Sequence, residues 1–303
     1  NGQKEYNING AEVFNLNKEI STNLNTDIGG LKAMLLARGD HRADYTDVAD
    51  QKSYDQVSQS VLMNVQAEFD QLIHNVATKV NEILAKAAGV VKAENDVVAD
   101  DGTVLVKKGE YFCENQVGGY MRKDDGSPIQ MFSKITTDAY RKVTGQDGKE
   151  YWVYNEEDAA VPDSLYTLKN LQVNPELMQK PSMLGFRLKD GSEDKATADA
   201  LKDAFTEEAY TLNPNVKKKT TFIDYYTDLV SQIANSAYAF RDIYVNQQDT
   251  VESVDNARQQ VVGVSSDEEL SNMIRFQNAY NASSRYINVI SEMLEHIIST
   301  LGV

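Results

Sequence analysis

The sequence predicts an α+β protein with an elongated helical stem, an inserted β-rich domain and a C-terminal heptad helix. Apolar residues step by three or four positions along two long stretches, which is typical of long helices with one buried face. Between these stretches, short β-prone segments are separated by Asp-Gly pairs, which tight hairpin turns prefer. The last segment carries a heptad pattern. We expect the stem helices to be antiparallel and coiled-coil-like.

These patterns divide the chain into successive segments, with the clearest changes in composition at Gly89 and near Asp163. The expected segments are a lead-in strand or loop (1–27), a helical stem with the first long helix (28–88), the inserted β-rich domain (89–163), a mixed strand and short-helix segment that returns to the stem (164–219), a second long stem helix (220–262) and a C-terminal assembly helix (263–303).

The first long helix is predicted from about Tyr45 to Ala88, and Gly89 follows it as a C-cap glycine. Its apolar stripe consists of Val61, Val65, Phe69, Leu72, Val76, Val80, Ile83 and Ala87. The second long helix is predicted from Phe222 to Val262. Its stripe consists of Phe222, Tyr226, Leu229, Ile233, Ala237, Phe240, Tyr244, Val251 and Val254.

The inserted domain is predicted from its turns, the Asp-Gly pairs at 101–102, 125–126 and 147–148. Such pairs between β-prone runs indicate hairpins, because the turn needs positive φ. The segments TVLVKKGEYF and KEYWVYN are predicted strands. Cys113 is the only cysteine and is expected to be a buried, small apolar residue.

The last helix is predicted to restart at a capping box made by Ser265 and Glu268. Its large apolar residues recur at heptad a and d positions and form a seam: Met273, Phe276, Tyr280, Ile287, Ile290, Leu294, Ile297 and Leu301. Burying a Leu or Ile side chain stabilises by about 1.5–3 kcal/mol, so such a seam requires a partner. Periodicity alone leaves two partners open: another helix in an assembly, or this chain's own core.

Composition argues against several classes of function. Acidic residues number 46 against 30 basic ones, a net charge of −16, and nucleic acid or anionic lipid would be repelled. No apolar stretch is long enough to enter a membrane. His41, His74 and His296 lie far apart, and no nucleotide-binding or nucleophile motif occurs. We expect no catalytic residue, no cofactor and no metal, and hence no enzyme.

The C-terminal stretch resembles the segment that ends rod, hook and hook-associated proteins of the flagellar axial family. Gln277, Ala279 and Tyr280 match the family as a whole. The start of the segment resembles the hook-associated members in particular, through Gly263, Val264, Ser265, Asp267, Glu268 and Glu269. Two further stretches resemble the same family in the same order: GGLKAMLLAR (29–38) with the helix that ends at Ile83, and TTFIDYYTDLVSQIA (220–234).

The resemblance implies a secreted structural protein of the bacterial flagellum, exported by the type III apparatus, that joins hook and filament. Its implied partners are copies of itself in a ring, the hook protein, the second hook–filament junction protein and an export chaperone that holds the last helix. It also implies that this chain is a C-terminal fragment without the N-terminal helix. The alternatives are a hook or rod subunit of the same family, or a surface adhesion or glycan-binding module formed by the inserted domain.

Overall fold

The computed structural model describes residues 5–8, 11–15, 30–146, 148–188, 190–263 and 265–302. The chain divides into two compact units, Asn1–Ala234 and Asn235–Val303. Helices and antiparallel sheets both occur, and the two longest helices come last. The predicted α+β class with a C-terminal helix is therefore confirmed.

The helical segment predicted for 28–88 is not one long helix from Tyr45. It contains α1 (Gly30–Arg38), a 3-10 turn (Tyr45–Val48), α2 (Gln51–Val57) and α3 (Val61–Ala87). Each of the last three elements starts at a polar N-cap, and the caps are Asp44, Asp50 and Ser60. Their side chains accept hydrogen bonds from the first-turn N–H groups, which stops the preceding turn and restarts the helix.

Helix α3 is the centre of the first unit, because three separate apolar clusters use its side chains. Met63 and Ala67 pack with α2 and the 3-10 turn. Leu72 packs with the start of α6. Val80 and Leu84 pack with Met121 and, at the edge of the cluster, with Phe132. Successive turns of one helix therefore contact different parts of the chain.

The strands fall mainly between residues 91 and 173. They are β1 (Glu5–Ile8), β2 (Ala11–Asn15), β3 (Val91–Lys92), β4 (Val97–Val98), β5 (Val104–Val106), β6 (Tyr111–Glu114), β7 (Phe132–Lys134), β8 (Tyr140–Thr144), β9 (Glu150–Tyr154) and β10 (Leu171–Val173). A four-stranded sheet has the order β3-β6-β9-β8, and β1–β2, β4–β5 and β7–β10 form two-stranded antiparallel pairs. The β4–β5 hairpin packs on the larger sheet through Val106, which clusters with Tyr151 and Val153 of β9 and with Ala93, the residue after β3.

Glycines of the predicted Asp-Gly turns have positive φ, as hairpin turns require. Gly102 (φ +83°) lies between β4 and β5, and Gly148 (φ +76°) lies between β8 and β9. Gly126 (φ +86°) has an additional constraint, because a Cβ there would approach Asn115 Oδ1 to 1.8 Å. The segment TVLVKKGEYF, predicted as one strand, is instead β5 and β6 joined by a turn in which Gly109 has φ +96°.

Arg122 ties the β-rich region to the C-terminal end of α3. Its buried guanidinium donates to the backbone oxygen of Ala88, which caps the helix, and to Gly126 O at 3.1 Å. A cation is favoured there by the helix dipole. Cys113 is buried, as predicted, and its Sγ accepts a hydrogen bond from Arg122 Nη1 at 2.8 Å.

The segment 164–219 contains β10, α4 (Pro175–Gln179), a 3-10 turn (Pro181–Leu184) and α5 (Lys195–Thr206). Strand β10 pairs with β7, so residues on both sides of the boundary predicted near Asp163 share one sheet. Helix α5 packs on α3.

Only the start of α6 (Phe222–Val262) is buried. Phe222, Tyr225 and Leu229 pack against Leu72 of α3, whereas Tyr226 of the predicted stripe is 53% exposed. From Asn235 onward, almost all described side chains of α6 are exposed. The packed face therefore follows Phe222, Tyr225 and Leu229, and it does not continue along the predicted stripe.

Buried polar side chains of α3 bind segments that are distant in sequence. Asp70 accepts hydrogen bonds from the backbone N–H of Tyr45 at 3.1 Å and of Leu168 at 2.5 Å. Asn81 donates to Phe132 O at 2.7 Å and accepts from Met131 N and Phe132 N at 3.0 and 3.1 Å. Since unpaired buried polar groups are costly, these bonds determine where the segments attach.

Glu68 makes the corresponding attachment for α6. Its carboxylate is fully buried and accepts from Asn213 Nδ2 at 2.7 Å and from Gln232 Nε2 at 2.9 Å. The Tyr225 hydroxyl donates to the backbone oxygen of Glu68 at 2.8 Å. Burial raises the pKa of Glu68, and the two amide donors partly offset that rise.

Replacing Asn81 with Ala should destabilise the first unit. It leaves the backbone groups of Met131 and Phe132 without their partner in a buried site, so we expect the free energy of unfolding to fall by about 2–4 kcal/mol. Urea unfolding measures this loss. Asn75→Ala, at a half-buried position of the same helix, is the control and should cost less than about 1 kcal/mol. Equal losses in the two variants would contradict the role of Asn81.

Asp70 should make stability depend on pH. Burial raises its pKa to about 6, although its two backbone donors oppose the rise. A carboxyl whose pKa is higher in the folded state stabilises the fold below its unfolded pKa and loses that contribution as pH rises through the folded pKa. The difference in unfolding free energy between the protein and Asp70→Asn should therefore shrink by on the order of 2 kcal/mol from pH 4 to 7. A difference that grows over this range would refute the raised pKa.

Candidate assembly surface

The last helix, α7 (Ser266–Leu301), is preceded by a side-chain cap. Ser265 has extended backbone angles, and its Oγ accepts a hydrogen bond from Glu268 N at 3.4 Å. The predicted restart of the helix at Ser265 is therefore present. Asp267, Glu268 and Glu269 lie in the first turn, where negative charge is favoured by the helix dipole.

The predicted seam lies along α7 as a row of exposed apolar side chains. Its exposed fractions range from 38% at Ile290 to 80% at Leu301. No described residue of α7 is buried. α7 therefore presents a continuous apolar row, and the partner that covers it remains a prediction.

The apolar surface of α7 is wider than a single seam. Tyr286, Val289 and Met293 are also exposed. Tyr286 and Met293 flank Ile290 on the helix surface, and Val289 lies next to both of them on the side away from the seam. These three residues are not part of the predicted seam because they do not occupy heptad a or d positions. Their signal in the sequence is that apolar residues also recur at the positions next to the seam, which indicates a broad face.

The residues of the family signature lie at the α6–α7 junction and in the middle of α7. Gly263 ends α6, and a Cβ there would come within 2.2 Å of Gln259 O. Gln277, Ala279 and Tyr280 are exposed on α7. Val264 lies outside the described residues. The assembly role predicted for the seam and for this signature remains a prediction.

The described histidine, cysteine and carboxylate side chains do not cluster as a metal site would require. Within them, no group of three or more His, Cys, Asp or Glu side chains could hold a metal ion. His41 contacts Asp40 and Asp47, whereas His74 stacks on Tyr45 with ring centroids 3.7 Å apart. His296 is exposed on α7. None of the described helices combines the length and the apolarity that crossing a membrane requires.

The segment with the exposed seam also has recognisable relatives. Residues 258–300 match a family model described as flagellar basal body rod FlgEFG protein C-terminal. The chain is also 34% identical, over 124 residues, to flagellar hook-associated protein 1 of Bacillus subtilis (strain 168). This chain is similar to a flagellar hook-associated protein. The resemblance inferred from the sequence is thereby confirmed.

The extent of the similarity is limited. The aligned residues make up 41% of this chain and 24% of the Bacillus relative, so the chain spans about a quarter of that protein's length. The family model covers the end of α6 and nearly all of α7. Both matches are to structural parts of the flagellum, which supports a flagellar structural component.

Removing the cap of α7 should loosen its first turn. Ser265→Ala deletes the oxygen that accepts from Glu268 N, and loss of an N-cap costs about 1 kcal/mol. We therefore expect amide exchange at Glu268, Glu269 and Leu270 to become about fivefold faster. Ser271→Ala is the control, because alanine is favoured in a helix interior. Unchanged exchange in Ser265→Ala would show that the cap contributes nothing.

Proposed function

We propose that this chain is part of a flagellar hook–filament junction protein that self-assembles through α7. The observation that carries the proposal is the exposed apolar seam within the segment that matches the flagellar family model. Leaving this surface in water is unfavourable, and covering it with neighbouring subunits stabilises an assembly by about 1.5–3 kcal/mol for each large side chain. The function is structural, with no catalytic step.

The proposed partners follow from this role. Copies of the chain form a ring, the hook protein lies on one side, and the second junction protein lies on the other. Before assembly, an export chaperone covers the α7 seam, and the type III apparatus delivers the protein to the flagellum. The proposal rests on the similarity to hook-associated protein 1, a protein named for its association with the hook.

A hook or rod subunit is the second candidate, since the matched family model describes rod-type C-terminal segments. The two candidates differ in where the protein assembles. Binding restricted to the distal ends of purified hooks supports a junction protein, whereas incorporation along the hook or rod supports a subunit of those structures.

Charged substitutions in the seam should abolish association. Ile287 and Leu294 lie one heptad apart and are 61% and 53% exposed. Changing both to Asp puts two charges into the proposed interface, so we expect self-association to weaken at least about 100-fold. Because both side chains are exposed, the melting temperature of the first unit should stay the same. Sedimentation velocity and binding to purified hooks measure the two effects.

The matched control is Asn281→Asp with Asn288→Asp. These residues are also exposed and one heptad apart on α7, but they lie away from the seam. The control adds the same number of negative charges and should associate normally. If the control loses association equally, charge repulsion explains the result and the seam is not the interface. If the seam variant unfolds the first unit, α7 belongs to an internal core.

A further inference from the structure

A pocket lined by tyrosines lies where α3 meets the β-rich region. Its volume is about 330 Å³, within the range of small-ligand sites. The lining side chains that matter are His74 and Glu82 of α3, Tyr111 of β6, Tyr140 of β8, Tyr154 of β9, and Glu157. We call it the tyrosine pocket. It shares no residue with α7 and is independent of the function proposed above.

Negative charge dominates the tyrosine pocket. Glu82 is exposed at its mouth, and the Glu157 side chain is 18% exposed at its inner end. Among the described residues that line it, none is Lys or Arg. Lys134 acts on Glu157 at a distance but is itself buried, with its Nζ over the Tyr166 ring and bonded to Ser164 O at 2.9 Å. With a chain charge of −16, a cationic ligand is the electrostatic match.

His74 gives the pocket an unused hydrogen-bond acceptor. Its Nδ1 is buried and has no hydrogen-bond partner among the described residues. The backbone of Tyr166 favours the charged form of the ring, but burial is the larger effect on its pKa. Burial lowers the pKa of His74, which keeps the ring neutral at pH 7, and in the tautomer protonated at Nε2 the Nδ1 lone pair can accept.

Glu157 lies beside this acceptor. The distance from His74 Nδ1 to Glu157 Oε2 is 3.7 Å. The other oxygen, Oε1, accepts from the backbone N–H of Tyr166, which holds the carboxylate in place. Two acceptors at this distance are both satisfied by one group that carries several N–H donors and a positive charge, as a –NH₃⁺ group does.

The tyrosine rings suit the remainder of such a ligand. Tyr140 and Tyr154 pack edge to face with centroids 5.4 Å apart. Tyr111 is 42% exposed, and the Lys92 Nζ lies 5.5 Å from its ring centroid, so the ring already attracts an ammonium group. Aromatic faces attract cations and also pack against methylene groups. The pocket thus has carboxylate and imidazole acceptors inside and aromatic walls around a short alkyl chain.

We propose that the tyrosine pocket binds a primary alkylammonium group, with its –NH₃⁺ between His74 Nδ1 and Glu157 Oε2 and its alkyl chain against the tyrosine rings. The group is either a free amine or the side chain of a lysine residue in another molecule. Binding there connects α3 to β6, β8 and β9 and stabilises the junction of the β-rich region with the helix.

Protein-observed NMR of the full chain at pH 8 and constant ionic strength tests the proposal with butylamine as probe. We expect saturable shifts at the residues that line the pocket. The neutral isostere 1-butanol should bind at least tenfold more weakly. Tetramethylammonium, which has a charge but no N–H, should also bind more weakly. Equal binding of butylamine and 1-butanol would reduce the site to an apolar cavity and overturn the proposal.

Neighbouring glutamates provide a matched pair of variants. Glu157→Gln keeps an oxygen for Tyr166 N but removes the charge, and butylamine affinity should fall at least tenfold. Glu156→Gln removes the same charge from an exposed neighbour and should leave the affinity within twofold. Equal losses of butylamine affinity in the two variants would mean that the amine is attracted to the acidic surface in general, and would refute a specific site at Glu157. Tyr111→Val keeps a β-prone residue at an exposed position, and should weaken binding two- to fivefold even if Glu157→Gln fails to fold.

A separate titration distinguishes the two sources of the amine. Nα-acetyl-lysine N-methylamide presents the same ammonium group on a peptide-like backbone. If it gives the same pattern of shifts as butylamine, the pocket accepts a lysine side chain. If only butylamine binds, the ligand is a free amine. Absence of saturable shifts at the lining residues with either probe would refute the proposal.

Discussion

The first unit depends on the buried polar side chains of α3. Glu68, Asp70 and Asn81 each require hydrogen-bond partners, and each finds them in a segment that is distant along the chain. Apolar packing between these attachments is non-directional and would allow many arrangements. The hydrogen bonds are directional, so they select one arrangement in which the loop at Tyr45, strand β7 and the start of α6 all meet the same helix.

The two long C-terminal helices differ from α3 in this respect. α6 is attached only through its first turns, where Phe222, Tyr225 and Leu229 are buried. Beyond Asn235, α6 and α7 present apolar side chains to solvent in the described residues. Helices in proteins gain most of their stability from packing of their apolar face. Because the apolar face of α7 is exposed, α7 would be most stable when an assembly covers that face. This is the physical link between its exposure and the proposed function.

The tyrosine pocket brings aromatic rings and carboxylates together in a chain that is acidic overall. The polar residues near the tyrosine pocket, such as Gln130 and Asn81, mostly satisfy one another or the backbone. His74 is different, because its Nδ1 is left over after the other bonds are made. A buried ring nitrogen without a partner is costly, and a bound hydrogen-bond donor would remove that cost.

The sequence by itself determined the α+β class, the hairpin turns, the cap at Ser265 and the heptad seam of α7, because each depends on residues close together in the chain. It did not predict that caps at Asp50 and Ser60 divide the stretch from Tyr45 into separate helices, since the predicted stripe begins only at Val61 and does not record where the preceding turns end. Nor could it decide that Tyr225 rather than Tyr226 is buried, or that Asp70 binds Leu168. Those outcomes depend on which distant segment lies against each face, and only the tertiary structure decides that, because periodicity records that a face is buried but not what buries it.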